Sequence, residues 1–164
     1  MLKKILPYFL IIAFFSGCRE DVEPVPYTYS QLLTGKNWKS WKMIGLQYRE
    51  NGKPIETYNL ELFTDPQSLC IFDDLYIFYA NDERLFEVDE GGTKCNPDDP
   101  QTFLTSNWAL VNANATIEFV IPLLIPFPYP YVLQELSENR MVAEVYFTDN
   151  TQSYRMIFKA IKEQ

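Results

Sequence analysis

No histidine occurs among the 164 residues of this chain. That absence excludes Ser-His-Asp and Cys-His nucleophile systems and every His-ligated zinc or haem site. Basic residues are scarce as well. Fourteen Lys and Arg face 22 Asp and Glu, a net charge of −8. A surface of that sign argues against nucleic acid, whose phosphates demand positive charge. No apolar run approaches the roughly 20 residues that a membrane-spanning helix needs. No helical pattern of 10–15 residues separates the strand-like segments, which argues against a parallel α/β sheet. What remains is 47% hydrophobic and 16% aromatic, too apolar for a disordered chain and long enough for one domain.

Met1-Leu2-Lys3-Lys4 is a short positive start, and residues 5–15 form an apolar run interrupted only by Pro7. Its length is that of a signal-peptide core, and the small pair Ser16-Gly17 follows it. Phe15-Ser16-Gly17-Cys18 resembles the bacterial lipobox, with Phe15 in place of the usual Leu. The resemblance implies cleavage before Cys18 and acylation of its sulfur. Removal of residues 1–17 takes away only Lys3 and Lys4, so the net charge moves from −8 to −10. Arg19-Glu20-Asp21 is similar to the basic-then-acidic surface-export signal of Bacteroidota lipoproteins. An outer-membrane lipoprotein, displayed on the cell surface, is therefore expected. Its acyl chains contribute roughly 0.8 kcal/mol of membrane affinity per buried CH₂.

Residues 18–29 read as the acylated cysteine and a flexible tether, with Pro24 and Pro26 among acids and no periodicity. Residues 30–164 read as the folded domain. Ser30 to Gly35 suggests one helical turn, with Ser30 as cap and Gly35 as terminator. Beyond it, apolar residues recur at every second position, the period of a half-buried strand. Tyr76, Phe78 and Ala80 share a face, as do Phe86 and Val88, then Trp108 and Leu110, then Ile117, Phe119 and Ile121. Met141, Ala143, Val145 and Phe147 alternate likewise. Asp149-Asn150 then turns the chain into Tyr154, Met156, Phe158 and Ala160. Glu87, Glu118, Glu144, Arg155 and Lys159 fall on the opposite, wet faces. Segments at 38–48, 58–63 and 131–136 bring the expectation to an all-β antiparallel meander of about eight strands, enough to close a small barrel.

Several stretches carry a family resemblance. They are Leu33-Thr34-Gly35-Lys36-Asn37-Trp38; Cys70 with Asp73-Asp74-Leu75-Tyr76-Ile77-Phe78; Asp89-Glu90-Gly91-Gly92-Thr93-Lys94-Cys95; and residues 96–101 followed by Asn107-Trp108-Ala109-Leu110. Over residues 31–161 the chain resembles the lipocalin-like domains of Bacteroidota lipoproteins. It departs from lipocalins proper in having two residues between Gly35 and Trp38 rather than one, and residues 122–130 look like an insertion. The resemblance implies an up-and-down barrel and names no ligand.

Cys70 and Cys95 are an even pair in an oxidising compartment, which favours a structural disulfide. Closing a loop of about 25 residues stabilises by roughly 3 kcal/mol in the chain-entropy model. A redox-active pair lacks the C-x-x-C spacing and has only Lys94 as a positive neighbour. The carboxylate groups at Asp73-Asp74, at Glu87, Asp89 and Glu90, and at Asp98-Asp99 match neither a calcium loop nor a glycosidase pair. They read as solvated loop acids, with Asp73 or Asp74 fixing a turn. No metal, cofactor or catalytic residue is expected.

Residues 122–131, Pro-Leu-Leu-Ile-Pro-Phe-Pro-Tyr-Pro-Tyr, contain four prolines, which argue against a central strand or a helix. Two readings stand. The segment folds over one barrel end as a plug that hides Leu124 and Phe127, or it projects as a lip. On a lip, Phe127, Tyr129 and Tyr131 would contact a ligand or partner. Trp108, Tyr76 and Phe78 would line a pocket if the barrel is hollow, and fill the core if it is not. The sequence thus points to a non-enzymatic, lipid-anchored binding protein for a small apolar ligand or an envelope partner. The alternative is a structural or protein-interaction lipoprotein with a filled barrel.

Overall fold

The computed structural model describes residues 27–147 and 151–164. The leader, the lipidation site Cys18, most of the tether and the turn at Asp149-Asn150 lie outside the described residues. Helix α1 (Tyr29–Thr34) is capped by Thr28 rather than Ser30. Thr28 Oγ1 accepts from the Gln31 amide at 3.2 Å, and Gln31 Oε1 accepts from the Thr28 amide at 2.9 Å. This reciprocal box needs an amide side chain three residues after the cap, which Thr28 has and Ser30 lacks. Gly35, at φ 63°, ends the helix as expected.

Ten strands follow, all paired antiparallel: β1 (Trp38–Glu50), β2 (Lys53–Asn59), β3 (Leu75–Tyr79), β4 (Leu85–Asp89), β5 (Thr102–Asn107), β6 (Ala109–Val111), β7 (Thr116–Ile121), β8 (Ile125–Leu136), β9 (Arg140–Tyr146) and β10 (Gln152–Glu163). The sheet runs β5-β4-β3-β1-β10-β9-β8-β7-β6. β3 pairs the first half of β1 and β2 pairs the second half, so the two share one side of that long strand. The two ends of the sheet, β5 and β6, are consecutive in the chain and separated only by Trp108. The chain therefore passes from pairing with β4 to pairing with β7 across one residue. Trp108 is held there by its amide on Arg84 O (2.9 Å) and its indole N–H on Tyr79 O (3.0 Å). A nearly closed up-and-down barrel results, as the alternating segments predict.

Inward positions fill the interior. Trp41 and Met43, Tyr76 and Phe78, Phe86 and Val88, Ile117 and Phe119, Met141 and Ala143, and Met156 and Phe158 are all buried in one cluster. Their rings pack edge-on: Phe78 and Phe119 lie 5.4 Å apart, as do Tyr76 and Phe158. Such offset contacts add to the area that each ring removes from water. Helix α1 closes one end of the barrel, where the Trp41 indole donates to Leu33 O at 2.8 Å. Beside it the ammonium of Lys39, a residue only 2% exposed, donates to Leu32 O and Glu138 O and pairs with Glu163.

Several elements differ from the sequence pattern. The segment expected at 58–63 is strand only to Asn59, and Leu60–Leu62 is a 3-10 turn. Helix α2 (Pro66–Phe72) and strand β5 were not anticipated. The proline-rich segment is neither plug nor lip. Residues 125–136 form one strand, β8, through Pro126, Pro128 and Pro130. The Leu133 amide donates to Ala115 on the β7 side, so by alternation the nitrogens of Pro128 and Pro130 face the other way. On that side β9 pairs β8 only from Val132 onward, so no ladder bond is lost. Pro126 lies at an irregularity in the β7–β8 ladder. Glu144 is outward-facing as expected but not wet. It is 1% exposed, beneath Arg155 (2.7 Å) and Arg49 (3.4 Å), and it accepts from Ser153 Oγ at 2.6 Å. Among the described residues no helix is long and apolar enough to cross a membrane.

Candidate functional site

The end of the barrel away from α1 is open. A β-bulge between Met43 and Gly45 resets β1, after which Leu46 and Tyr48 face inward opposite Met156 and Tyr154 of β10. β2 adds Glu56 and Tyr58, the 3-10 turn adds Leu60, and α2 with its lead-in adds Phe63 and Phe72. Leu123 and Leu124, from the β7–β8 turn, complete a recess of about 570 Å³. Its walls are organised by ring contacts. Tyr48 and Tyr154 lie 5.6 Å apart, and Phe63 stacks on Phe72 at 5.2 Å. Leu46, Phe63, Phe72, Leu124 and Tyr154 also pack on the core, so the floor of the recess is the top of the filled interior.

Among the described residues only one carboxylate lines this mouth. Glu56 accepts from the Tyr58 hydroxyl at 2.5 Å, and that bond, with the negative charge behind it, raises the Tyr58 pKa. The rest of the lining is aliphatic and aromatic carbon with phenol groups. Such a surface can take up an apolar body by desolvation and leave its polar end at the rim. At the α1 end a cavity of about 600 Å³ has a mixed lining that includes Lys36, Lys39, Glu138 and Glu163, and the Lys39 ammonium bordering it already has three acceptors.

The residues singled out from the sequence are not gathered at the mouth. Tyr76, Phe78, Trp108 and Tyr131 are buried in the core and fill the barrel, although Tyr76 also borders a small side cavity. Burial pushes the Tyr131 pKa up. Phe127 is 56% exposed, and Tyr129 is half-buried between Phe127 and Tyr131. Of the proline-rich segment, only Leu123 and Leu124 reach the recess. Residues 46–63, Phe72 and Tyr154 carry no local motif, because each segment contributes one or two side chains.

Cys70 and Cys95 are joined, with their α-carbons 4.8 Å apart. Cys70 lies on α2 rather than in a loop, so the bridge ties that helix to the segment between β4 and β5. The expected loop acids divide. Asp98 is exposed. Asp73 and Glu90 are 9% and 7% exposed, and Asp74 is half-buried. Asp73 accepts from the Thr93 amide at 3.0 Å, a long-range bond that anchors the 91–93 segment and not a local turn. Glu87 accepts from the Tyr79 hydroxyl at 2.6 Å, and burial with this bond pushes the Tyr79 pKa to about 12. Among the described residues no group of three or more Cys, Asp or Glu side chains is arranged to hold a metal ion.

No protein-family model matches the chain, and no curated protein matches it.

Proposed function

We propose that this chain is a non-enzymatic, lipid-anchored binding protein of the bacterial cell envelope, whose open barrel mouth takes a small apolar ligand. One observation carries the reading: the recess of about 570 Å³ lined by Leu46, Tyr48, Tyr58, Phe63, Phe72 and Tyr154 at the end of an otherwise packed barrel. A volume of several hundred Å³ with mainly apolar walls is the size and character of a small-molecule site. The positive start, short apolar run and Phe15-Ser16-Gly17-Cys18 support acylation of Cys18 and an outer-membrane location, facing outward after Arg19-Glu20-Asp21.

Two measurements test this. Native mass spectrometry of protein taken from its own membrane is expected to show a retained apolar molecule and acyl groups on Cys18. Titration with the neutral fluorophore N-phenylnaphthylamine is expected to show saturable binding that Leu124→Lys abolishes. No saturable binding to the folded protein defeats the ligand reading, and Cys18→Ser leaving membrane attachment unchanged defeats the anchor.

A second reading is a structural or interaction lipoprotein. The filled interior favours it, as does Phe127 standing exposed beside Tyr129 on β8. It predicts that Phe127→Ala, and not Leu124→Lys, removes binding in cell-surface pull-downs.

A further inference from the structure

Beside the mouth, and sharing Leu123 with it, lies a smaller cavity of about 190 Å³. Asp74 and Glu90 line it, with Tyr76, Phe103 and the Cys70–Cys95 bridge around them. Its construction is local and rigid. Gly91 lies so close to Asp73 that a Cβ there would sit 2.3 Å from the Asp73 carbonyl oxygen, and only glycine permits that approach. The close approach carries the neighbouring Glu90 alongside Asp74. The disulfide, the Thr93–Asp73 bond and the Glu90 amide on Gln101 O (2.8 Å) hold the segment there.

Three acids are thus packed together, and among the described residues none of them has a counter-charge. Among those residues Asp73 Oδ1, Asp74 Oδ1 and Glu90 Oε2 are buried with no hydrogen-bond partner. The nearby Lys94 ammonium is turned to Asp99 O instead. A buried carboxylate without a partner is costly, and a cation seated between two of them removes that cost. Because the acids do not converge as a metal cage would require, the donor that fits is a multi-pronged one. A primary ammonium has three N–H groups, and the aromatic residues Tyr76 and Phe103 are part of the lining.

We propose that the Asp74–Glu90 cavity holds the primary ammonium of a cationic amphiphile whose alkyl body passes over Leu123 into the apolar mouth. This rests on the apolar reading of the mouth and adds the class of ligand to it. Burial, Glu90 and Asp73 together push the Asp74 pKa up to about 7. The groups facing Asp74 are Asp73, Glu90, the Gly91 amide and the Tyr76 phenol.

The test is calorimetric titration of a chain carrying Cys18→Ser, so that no acyl group competes, with octylammonium and with octanol. Well above pH 7 octylammonium is expected to bind about tenfold more tightly than octanol, the gain of a charge-assisted bond. The gap is expected to narrow well below pH 7, where Asp74 is protonated, and in Glu90→Gln. Asp74→Asn supplies the same comparison if Glu90→Gln does not fold. Equal affinity for the two probes overturns the ammonium site while leaving the apolar mouth standing. Binding of neither removes both. Displacement of octylammonium by calcium at constant ionic strength also overturns the proposal, in favour of a metal.

Discussion

Tyr48 and Tyr154 face each other in register across β1 and β10, with ring centroids 5.6 Å apart, at the level where the packed interior gives way to the open mouth. Tyr154 serves two purposes, since it packs on the core and lines the recess. Tyr58, on the exposed β2, serves only the recess. Truncating them should therefore have different consequences. Tyr58→Ala is expected to weaken binding of a neutral apolar probe about fivefold with little change in thermal stability. Tyr154→Ala is expected to weaken binding as well and to cost about 2 kcal/mol in urea unfolding. Loss of binding in neither variant would place the ligand elsewhere.

The Cys70–Cys95 bridge ties α2 to the β4–β5 connection, beside the Thr93–Asp73 bond. Closing a loop of this size should stabilise by about 3 kcal/mol. Cys70→Ser, Cys95→Ser and the double variant are expected to lower the urea midpoint equally. Reductant should lower the wild-type midpoint to theirs and leave the variants unmoved. A wild-type midpoint indifferent to reductant would contradict this.

The barrel was legible because most of its strands bury one face and wet the other, so Tyr76 with Phe78 or Met141 with Ala143 announce themselves by spacing. The elements that stayed hidden lack that contrast. β5 alternates only between exposed and half-buried positions. α2 is seven residues long, too short to show a helical stripe. β8 was obscured by prolines, whose orientation toward an unpaired edge is a tertiary fact. Glu144 read as solvated, since its cover comes from Arg49, almost a hundred positions away. The mouth was illegible for the same reason: Leu46, Phe72, Leu123 and Tyr154 meet only after the strands are in place.

Among the described residues no strand lies beside β8 between residues 125 and 131 on the β9 side. An unpaired edge of this length is a template for another chain, and Pro128 and Pro130 remove the donors that such pairing would use. Pro128→Thr and Pro130→Thr restore two N–H groups on that edge. The double variant is expected to fold with unchanged circular dichroism and to self-associate with rising concentration in light scattering. An unchanged scattering profile at all concentrations would show that the prolines do not guard this edge.

Glu144 neutralises two arginines on the outer face, and removal of the carboxylate leaves Arg49 Nε, already without a hydrogen bond, and Arg155 facing one another. Glu144→Ala is expected to cost about 3 kcal/mol in urea unfolding, the scale for breaking a buried pair. Adding Arg49→Met and Arg155→Met to it should recover most of that loss, because the cost lies in the stranded charges. A triple variant no more stable than Glu144→Ala would locate the cost in packing instead.

Asp74 titrates in the opposite sense to most carboxylates in folded proteins. Its pKa is raised from 3.8 to about 7, first by burial and then by Glu90 and Asp73. The folded chain therefore binds a proton that the unfolded chain has already released between those two values. Stability contributed by this group is complete below about pH 4, falls as pH rises through the interval, and reaches its minimum above 7. Because Asp74 is half-buried, water screens part of the effect. Asp74→Asn removes the titration and one of the adjacent charges. It is expected to flatten the fall in the urea midpoint between pH 4 and 7 and to make the protein more stable than wild type above that range. A wild-type midpoint that rises across the interval, or an Asn variant with the same slope, would show that Asp74 keeps an ordinary affinity for its proton.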